Sequence, residues 1–181
     1  MKRTPFKKKL IKPLKRTPVK RSKLTSKRVK LPKRELMPNR VKRAKKELTE
    51  LSHTFVRKRD SVDKNKIGGY CISCKKYCSG ADFQSGHWIP DSIGGALLRW
   101  HPLNMSGQGG YCCNINRHGQ QRMGNDYTLA LLEKHGLERI NELRRLCQKS
   151  IKCDILFLEK MIELYKGGNE AEIVGYIHSL V

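Results

Sequence analysis

Seven cysteines stand in this 181-residue chain, and five of them are grouped where they could bind a metal ion. Cys71 and Cys74 have the Cys-x2-Cys spacing with which a zinc knuckle brings two thiolates to one tetrahedral ion. Cys112 and Cys113 follow about 40 residues later. Because adjacent cysteines rarely bind one ion together, the pattern favours Cys113 as the third zinc ligand. The fourth ligand stays open between Cys112 and Cys78.

A more specific pattern runs between and just beyond the two cysteine groups: Gly86-His87-Trp88-Ile89-Pro90, Gly94-Gly95, Leu103-Asn104 and Cys113-Asn114-x3-His118. In this order the residues resemble the HNH, or beta-beta-alpha-metal, endonucleases, whose core is a two-stranded hairpin and a helix around a divalent ion. A closer resemblance is to the phage NinG (Rap) family of recombination endonucleases. That resemblance implies cleavage of branched DNA such as Holliday junctions and D-loops.

The residue types in this pattern suit phosphodiester hydrolysis. A neutral imidazole at the end of a strand can take the proton of the attacking water, and His87 is the candidate. The uncharged amide of Asn104 could orient that imidazole or fix the hairpin loop. A Mg²⁺ or Mn²⁺ ion must neutralise the phosphate and the departing oxygen, and we predict His118 as its ligand. Asn114, four residues earlier on the same helical face, could help to bind it.

The chain departs from the family pattern at three positions. Gly110 stands where the second half of the zinc site usually has its first thiolate. Gly86 stands where the generic HNH pattern often has a metal-binding residue, although glycine is common there in the NinG pattern. Gln84 replaces the acid that often lies three residues before the histidine, so Asp82 or Asp91 would have to serve instead.

Basic residues near this segment are candidates for phosphate binding. Arg99 could hold a phosphate through two parallel hydrogen bonds or simply cap the hairpin. The last turn of the preceding predicted helix carries Arg57, Lys58 and Arg59, which favour the negative end of the helix dipole and could also reach DNA. The remaining histidines are interpreted as structural or surface residues: His53, His101, His135 and His178.

Helical periodicity frames the metal-binding segment on both sides. Apolar residues recur three and four apart from Val41 to Phe55, which predicts a helix over residues 40–60. Residues 70–124 are rich in Gly, Pro and Cys and are predicted to hold the metal core. Residues 125–181 are predicted to be helical. Their signals are a cap at Asn125 or Asp126 with Leu129, Leu131 and Leu132 inward, a stop at Gly136, a second helix with Leu137, Ile140, Leu143 and Leu146, and caps at Asp154 and Asn169.

The net charge of +23 is concentrated at the N-terminus. Residues 1–46 contain 21 Lys or Arg and the single acid Glu35, which leaves 18 basic and 15 acidic residues in the other 135. Lys2-Arg3-Thr4-Pro5 returns as Lys15-Arg16-Thr17-Pro18, and further prolines break any helix. Residues 1–39 are therefore predicted to be a disordered basic arm whose partner is a polyanion. A solubility tail or an anionic membrane surface is the alternative, but no amphipathic face favours the membrane.

The chain has no run of about 20 apolar residues and no secretory signal, which predicts a cytoplasmic protein, in the host cell if phage-encoded. Cysteines stay reduced in that compartment, so clustered ones indicate metal rather than disulfides. We therefore expect an α+β protein with a small zinc-stabilised, HNH-like core in residues 40–181. Its expected function is metal-dependent cleavage of DNA, and cutting a symmetric junction twice would suit a homodimer. The alternatives are a non-catalytic zinc-containing DNA- or RNA-binding protein and a basic RNA-associated protein.

Overall fold

The computed structural model describes residues 37–63, 67–114 and 121–181. Within these ranges the chain is a mixture of helices and two small antiparallel sheets. In chain order the elements are α1 (Met37–Asp60), β1 (Gly68–Tyr70), β2 (Tyr77–Ser79), β3 (Phe83–His87), α2 (Asp91–Arg99), β4 (Met105–Gly109), α3 (Gln121–Cys147), α4 (Ile155–Gly167) and α5 (Glu170–His178). None of the helices in these ranges is long and apolar enough to cross a membrane.

Helix α1 begins three residues earlier than predicted and includes Pro38. A proline is tolerated in the first turn because the amide groups there have no partner within the helix. Its buried residues recur every four positions, at Ala44, Leu48, Ser52 and Val56, and the helix packs against α4. The rest of the predicted basic arm, including Lys15 and Arg16, lies outside the described residues.

The middle of the chain forms the two sheets. Strand β1 pairs with β2, with Gly69 opposite Cys78, and β3 pairs with β4, with Gln84 opposite Gln108. Helix α2 lies in the connection between β3 and β4, where the sequence indicated no helix. Its nine residues include Gly94 and Gly95, and Gly95 has a left-handed φ of 60°, so helical periodicity is too short to read there.

Helix α3 begins at Gln121, so the caps predicted at Asn125 or Asp126 are wrong and both residues lie inside the helix. Asn125 is exposed there, where an asparagine costs little helix stability. The predicted interruption at Gly136 is confirmed by a kink with φ 79°. The predicted inward orientation is wrong for Leu129, which is 60% exposed, and Leu137 of the second predicted helix is 62% exposed. Leu131 and Ile140 are the residues of these turns that pack inside.

The last two helices begin as predicted. The side chain of Asp154 accepts a hydrogen bond from the Phe157 amide at 3.1 Å, and Asn169 accepts one from the Ala171 amide at 3.1 Å. Both helices pack into the main core, which surrounds the fully buried Trp100. Tyr165 of α4 donates a hydrogen bond to the carbonyl of Trp100, so the core holds the end of α2 in place.

Candidate metal centre and histidine groove

Four cysteines converge on one point of the structure. The sulfur atoms of Cys71, Cys74, Cys112 and Cys113 all lie within 4.8 Å of one another, and we call them the cysteine cluster. The Sγ atoms of Cys74 and Cys112 are 3.3 Å apart. A tetrahedral zinc ion with Zn–S bonds of about 2.3 Å separates its sulfur ligands by about 3.8 Å. The cluster could therefore hold a metal ion such as zinc.

Local backbone geometry explains why these cysteines meet. The turn after β1 is closed by the Lys75 amide donating to the Cys71 carbonyl at 2.9 Å, and Lys75 has a φ of 60°. Cys112 and Cys113 lie in a wide helical turn, Gly110–Asn114, which directly follows β4. This turn lets adjacent cysteines both join the cluster, which sequence spacing alone did not favour.

The fourth position of the cluster is filled by Cys112 rather than Cys78. The Cys78 thiol lies 3.6 Å from the Lys76 carbonyl and is not part of the cluster. The chain passes close to both sulfurs at Gly109, where a Cβ would lie 2.4 Å from the Cys112 Sγ and 2.5 Å from the Cys78 Sγ. A Cβ on Gly110 would lie 2.7 Å from the Gln84 amide nitrogen, so a cysteine at this position would require the Gln84 side chain to move.

The thiols of the cluster differ in how readily they ionise. Burial, with the neighbouring thiol of Cys74, raises the pKa of Cys112 to about 11. Burial together with Cys71 raises the pKa of Cys113 well above its usual range. Against the opposing effect of burial, hydrogen bonds with the Lys76 backbone and the neighbouring thiols lower the pKa of Cys74. Because Cys112 and Cys113 are hard to ionise, a metal ion that binds their thiolates should release protons.

A groove runs beside the cluster between α1, β3 and α2. It consists of two adjoining cavities of about 340 and 330 Å³, which share His53, Ser85 and Asn114 in their walls. Arg57 lines the first cavity, and His87 lines the second. Further lining residues are Glu50, Thr54 and Gln84 in the first cavity, and Thr49, Pro90, Asp91, Arg99 and Trp100 in the second. We call this the histidine groove.

His87 is held in one tautomer at the end of β3. Its Nε2 lies 2.8 Å from the Arg99 carbonyl oxygen, which can only accept, so we place the proton on Nε2. The Nδ1 atom is then the acceptor of the ring and can take a proton. The same Nε2 lies 3.3 Å from Asp91 Oδ1, while Asp91 Oδ2 accepts a hydrogen bond of 2.9 Å from Arg99 Nε.

Of the two acids left open by the sequence, Asp91 is the one beside His87. Asp82 lies instead near the cysteine cluster, where its Oδ1 accepts from the Tyr111 amide at 2.9 Å. Gln84, which replaces the expected acid, accepts a hydrogen bond from Asn114 Nδ2 at 2.8 Å. Asn114 therefore lines the groove close to the histidines, whereas His118 lies outside the described residues.

Gly86 has a packing reason to be glycine. A Cβ at this position would lie 1.7 Å from Gln108 Oε1 and 3.2 Å from Asn114 Oδ1. The Gln108 amide is itself fixed by donating to the Ser73 hydroxyl at 3.0 Å. An acidic residue before His87, as in the generic HNH pattern, would therefore require the buried Gln108 side chain to move.

Asn104 fixes the loop after His87 rather than the imidazole. It is fully buried, its Nδ2 donates to the carbonyls of Ile89 and Leu98 at 2.9 and 3.0 Å, and its Oδ1 accepts from the Ile89 amide at 2.9 Å. Leu98 precedes Arg99, whose carbonyl holds the His87 ring. Asn104 is thus a positioning residue that acts on His87 through α2.

Replacing Asn104 by Ala should destabilise the fold by about 2–4 kcal/mol, because three backbone groups lose their partner in a buried place. Urea unfolding followed by circular dichroism measures this change. Asn125→Ala is the matched control, since Asn125 is exposed and its loss should change stability by less than about 0.5 kcal/mol. Equal stability of the two variants would contradict the role of the Asn104 hydrogen bonds in fixing this loop.

The four basic residues near the groove differ in what they can bind. Arg57 lines the groove, and its buried Nε has no hydrogen-bond partner among the described residues. Lys58 is exposed. Arg99 pairs with Asp91 and lies 5.6 Å over the Trp100 ring. All five N–H groups of Arg59 are used within the protein, by Asp60, Glu170 and the carbonyls of Pro102 and Met105. The Arg59 guanidinium therefore stabilises the fold and has no N–H group left to donate to a phosphate.

His53 is a groove residue that the sequence interpretation assigned to structure or surface. Its ring packs edge-to-face against His87, with 5.8 Å between the ring centroids. Burial, reinforced by His87, lowers its pKa, so it is neutral at pH 7. On α1, one helical turn separates each of the polar residues Thr49, His53 and Arg57 from the next. This polar face of the helix is the sequence signal that could have identified His53 as a groove residue.

Comparison with known proteins adds one finding. The family model described as the bacteriophage lambda NinG protein matches residues 2–171. This range contains the cysteine cluster, every described residue of the histidine groove and the basic N-terminal segment. No curated protein and no solved structure matches the chain.

Proposed function

The chain belongs to the NinG family of bacteriophage lambda, and on that premise we propose that it is a metal-dependent endonuclease of phage recombination that cuts branched DNA such as Holliday junctions and D-loops. The observation that carries the proposal is the arrangement of His87. Its Nε2 is anchored to the Arg99 carbonyl beside Asp91, which leaves Nδ1 as the acceptor of a ring that lines a cavity of about 330 Å³. Branched specificity rests on the family resemblance.

The order of elements supports an HNH-like core. Strands β3 and β4 are antiparallel, His87 ends β3, and Asn104 stands directly before β4. After β4 the chain turns through Gly110–Asn114 and continues into α3. A hairpin followed by a helix is the order expected of a beta-beta-alpha-metal nuclease, with the cysteine cluster fixing the end of β4.

The groove residues suit phosphodiester hydrolysis by general base catalysis. In the proposed reaction His87 Nδ1 would take the proton of a water molecule that attacks the phosphorus, while the P–O bond to the leaving oxygen breaks and that oxygen takes a proton from solvent. The Arg57 Nε and the Ser85 hydroxyl are buried and unpaired within the described residues, so a phosphate oxygen could satisfy them. The Arg99 guanidinium lines the same cavity as His87 and keeps Asp91 oriented.

The groove also offers donors that fit a hard divalent ion. Asp91 Oδ1 is buried and accepts no hydrogen bond from the described residues, and Asn114 adds an amide oxygen in the same cavity. Carboxylate and amide oxygens are the ligands that Mg²⁺ and Mn²⁺ prefer. Asp91, Asn114 and His118 would hold the ion, which would stabilise negative charge on the phosphate and the leaving oxygen.

An incubation of the purified protein with labelled Holliday junction, D-loop, duplex and single-stranded DNA tests this proposal. With Mg²⁺ or Mn²⁺ we expect cleavage of the junction or D-loop and little of the duplex, and EDTA should stop it. Binding without cleavage of any DNA would favour the non-catalytic zinc-containing protein. One observation favours this second candidate function: Gln84, which replaces the expected acid, is hydrogen-bonded to Asn114. Preference for structured RNA would favour the RNA-associated alternative.

Deleting residues 1–33 should flatten the salt dependence of DNA binding. This segment holds 15 Lys or Arg and no acid, and each phosphate contact contributes about −0.9 to the slope of log affinity against log salt. Fluorescence anisotropy at several salt concentrations measures the slope for both proteins. An unchanged slope, in a deletion variant that keeps its metal and helicity, would show that the segment does not bind DNA.

A further inference from the structure

Two exposed tyrosines lie side by side on the β1–β2 hairpin. Tyr70 and Tyr77 are register partners in the antiparallel pair, so their side chains leave the same face. They are 60% and 52% exposed, and their rings meet edge-to-face with 5.7 Å between centroids. Aromatic rings are usually buried, so a paired, exposed set indicates a contact surface.

The hairpin holds these rings in a fixed position. Next to Tyr70 in the chain is Cys71 of the cysteine cluster, and next to Tyr77 is the buried Cys78. The Ile72 amide also donates to the Gly107 carbonyl of β4 at 2.9 Å. The Tyr77 ring lies over Gly68, where a Cβ would be 2.7 Å from the Tyr77 hydroxyl. A partner of this face would therefore meet rings that are already ordered.

A further cavity opens beside Tyr70. Its volume is about 450 Å³, and it shares no lining residue with the histidine groove. Ile72, Ala130 and Val62 supply an apolar part of its wall. Its charged lining residues are Asp60, Lys75, Glu133 and Lys134.

The charged side chains around the cavity differ in whether they are already paired within the protein or are exposed and able to bind a ligand. Asp60 is occupied by Arg59, by Lys134 at 2.7 Å and by the Gly107 amide at 2.8 Å. Lys75 is exposed and only 4.0 Å from the exposed Glu133. Lys76, the next residue, is also exposed at the end of the hairpin. The tyrosines are thus flanked by two exposed lysines, of which Lys76 has no acid partner among the described residues and Lys75 is only loosely paired with Glu133.

We propose that Tyr70, Tyr77 and this cavity form a binding site for an unpaired nucleotide of a DNA strand, which we call the tyrosine site. A base would stack on Tyr70 at the mouth of the cavity, with its phosphates beside Lys75 and Lys76. Stacking on aromatic rings tolerates any sequence, because every base has a π face. Duplex DNA hides those faces, so the site would recognise single-stranded segments, which D-loops contain.

The inference rests on the proposed function only in taking DNA as the partner, and not on cleavage. The test uses the full-length, metal-loaded protein with a labelled 20-nucleotide oligothymidylate and a duplex of equal length. For the double variant Tyr70→Ala, Tyr77→Ala we expect single-strand affinity to fall by about 10- to 100-fold. Duplex affinity should change by less than about twofold, because the basic N-terminal segment binds phosphate on either DNA.

Matched variants distinguish base stacking on the tyrosine rings from contact with any side chain of similar size. Tyr70→Phe with Tyr77→Phe keeps the rings and should bind single strands nearly as wild type does. Tyr70→Leu with Tyr77→Leu keeps apolar bulk without the rings and should behave like the alanine variant. The double variant Lys75→Gln, Lys76→Gln should weaken the binding of both single-stranded and duplex DNA. Equal single-strand affinity of the alanine variant and the wild type would overturn the tyrosine site.

A direct readout covers the case in which the alanine variant loses its metal or its fold. Indole fluorescence of Tyr70→Trp should be quenched by oligothymidylate more than that of the wild type, because a stacked base quenches the ring. Quenching no greater than in the wild type would also overturn the proposal. A protein that cuts no DNA but shows this quenching would contradict the proposed nuclease and leave the tyrosine site supported.

Discussion

Replacing His87 by Ala should reduce the rate of junction cleavage by about 10²- to 10⁴-fold, the usual contribution of a general base. The physical reason is the loss of His87 Nδ1, which remains the acceptor of the ring because Nε2 is anchored to the Arg99 carbonyl at the end of β3. DNA affinity should change by less than about threefold, since the basic N-terminal segment supplies most of the charge. Single-turnover cleavage and anisotropy on the same junction separate the two effects.

The control for this prediction is His135→Ala. His135 is half-buried like His87 but lines a different cavity, with Arg139 and Glu170. Its replacement should leave the cleavage rate within about twofold. Cleavage that survives in His87→Ala while it is lost in His53→Ala would assign the base to the neighbouring ring instead, because the two imidazoles are in contact.

Local signals in the sequence were sufficient to predict most helices. They failed where tertiary contacts determine which side chains are buried or where a short helix forms. The caps at Asp154 and Asn169 and the break at Gly136 were readable because each depends on one residue and its neighbours. Leu129 and Leu137 could not be placed, since only the packing of α3 determines which of its leucines are covered. Helix α2 was missed because its two glycines hide a short periodicity.

The candidate site was predictable as a set of residue types more than as an arrangement. The cysteines of the cluster could be named, but only the wide turn at Gly110–Asn114 allows Cys112 and Cys113 to point at one centre. The choice of Asp91 over Asp82 depends on where α2 lies. His53 is 34 residues from His87 in sequence, and no local pattern brings them together.

Replacing Cys112 by Ser should remove the metal and unfold the region it ties together. Structural zinc sites contribute about 10–16 kcal/mol of apparent binding energy in small peptides, so losing one ligand should cost this fold at least several kcal/mol. Elemental analysis should find about one zinc per chain in the wild type and almost none in Cys112→Ser. The melting temperature should fall, and chelation of the wild-type protein should reproduce the effect.

Cys78→Ser provides the sharpest comparison, because Cys78 lies beside the cluster without belonging to it. It should keep its zinc, as should Cys153→Ser, whose thiol is distant in sequence and outside the cluster. Zinc lost from Cys78→Ser but retained by Cys112→Ser would exchange the roles of the two residues. Because Gly109 ends β4 between these two sulfurs, metal loss should also loosen the β3–β4 pair. Cleavage should then fall together with zinc content, although no residue of the histidine groove has been changed.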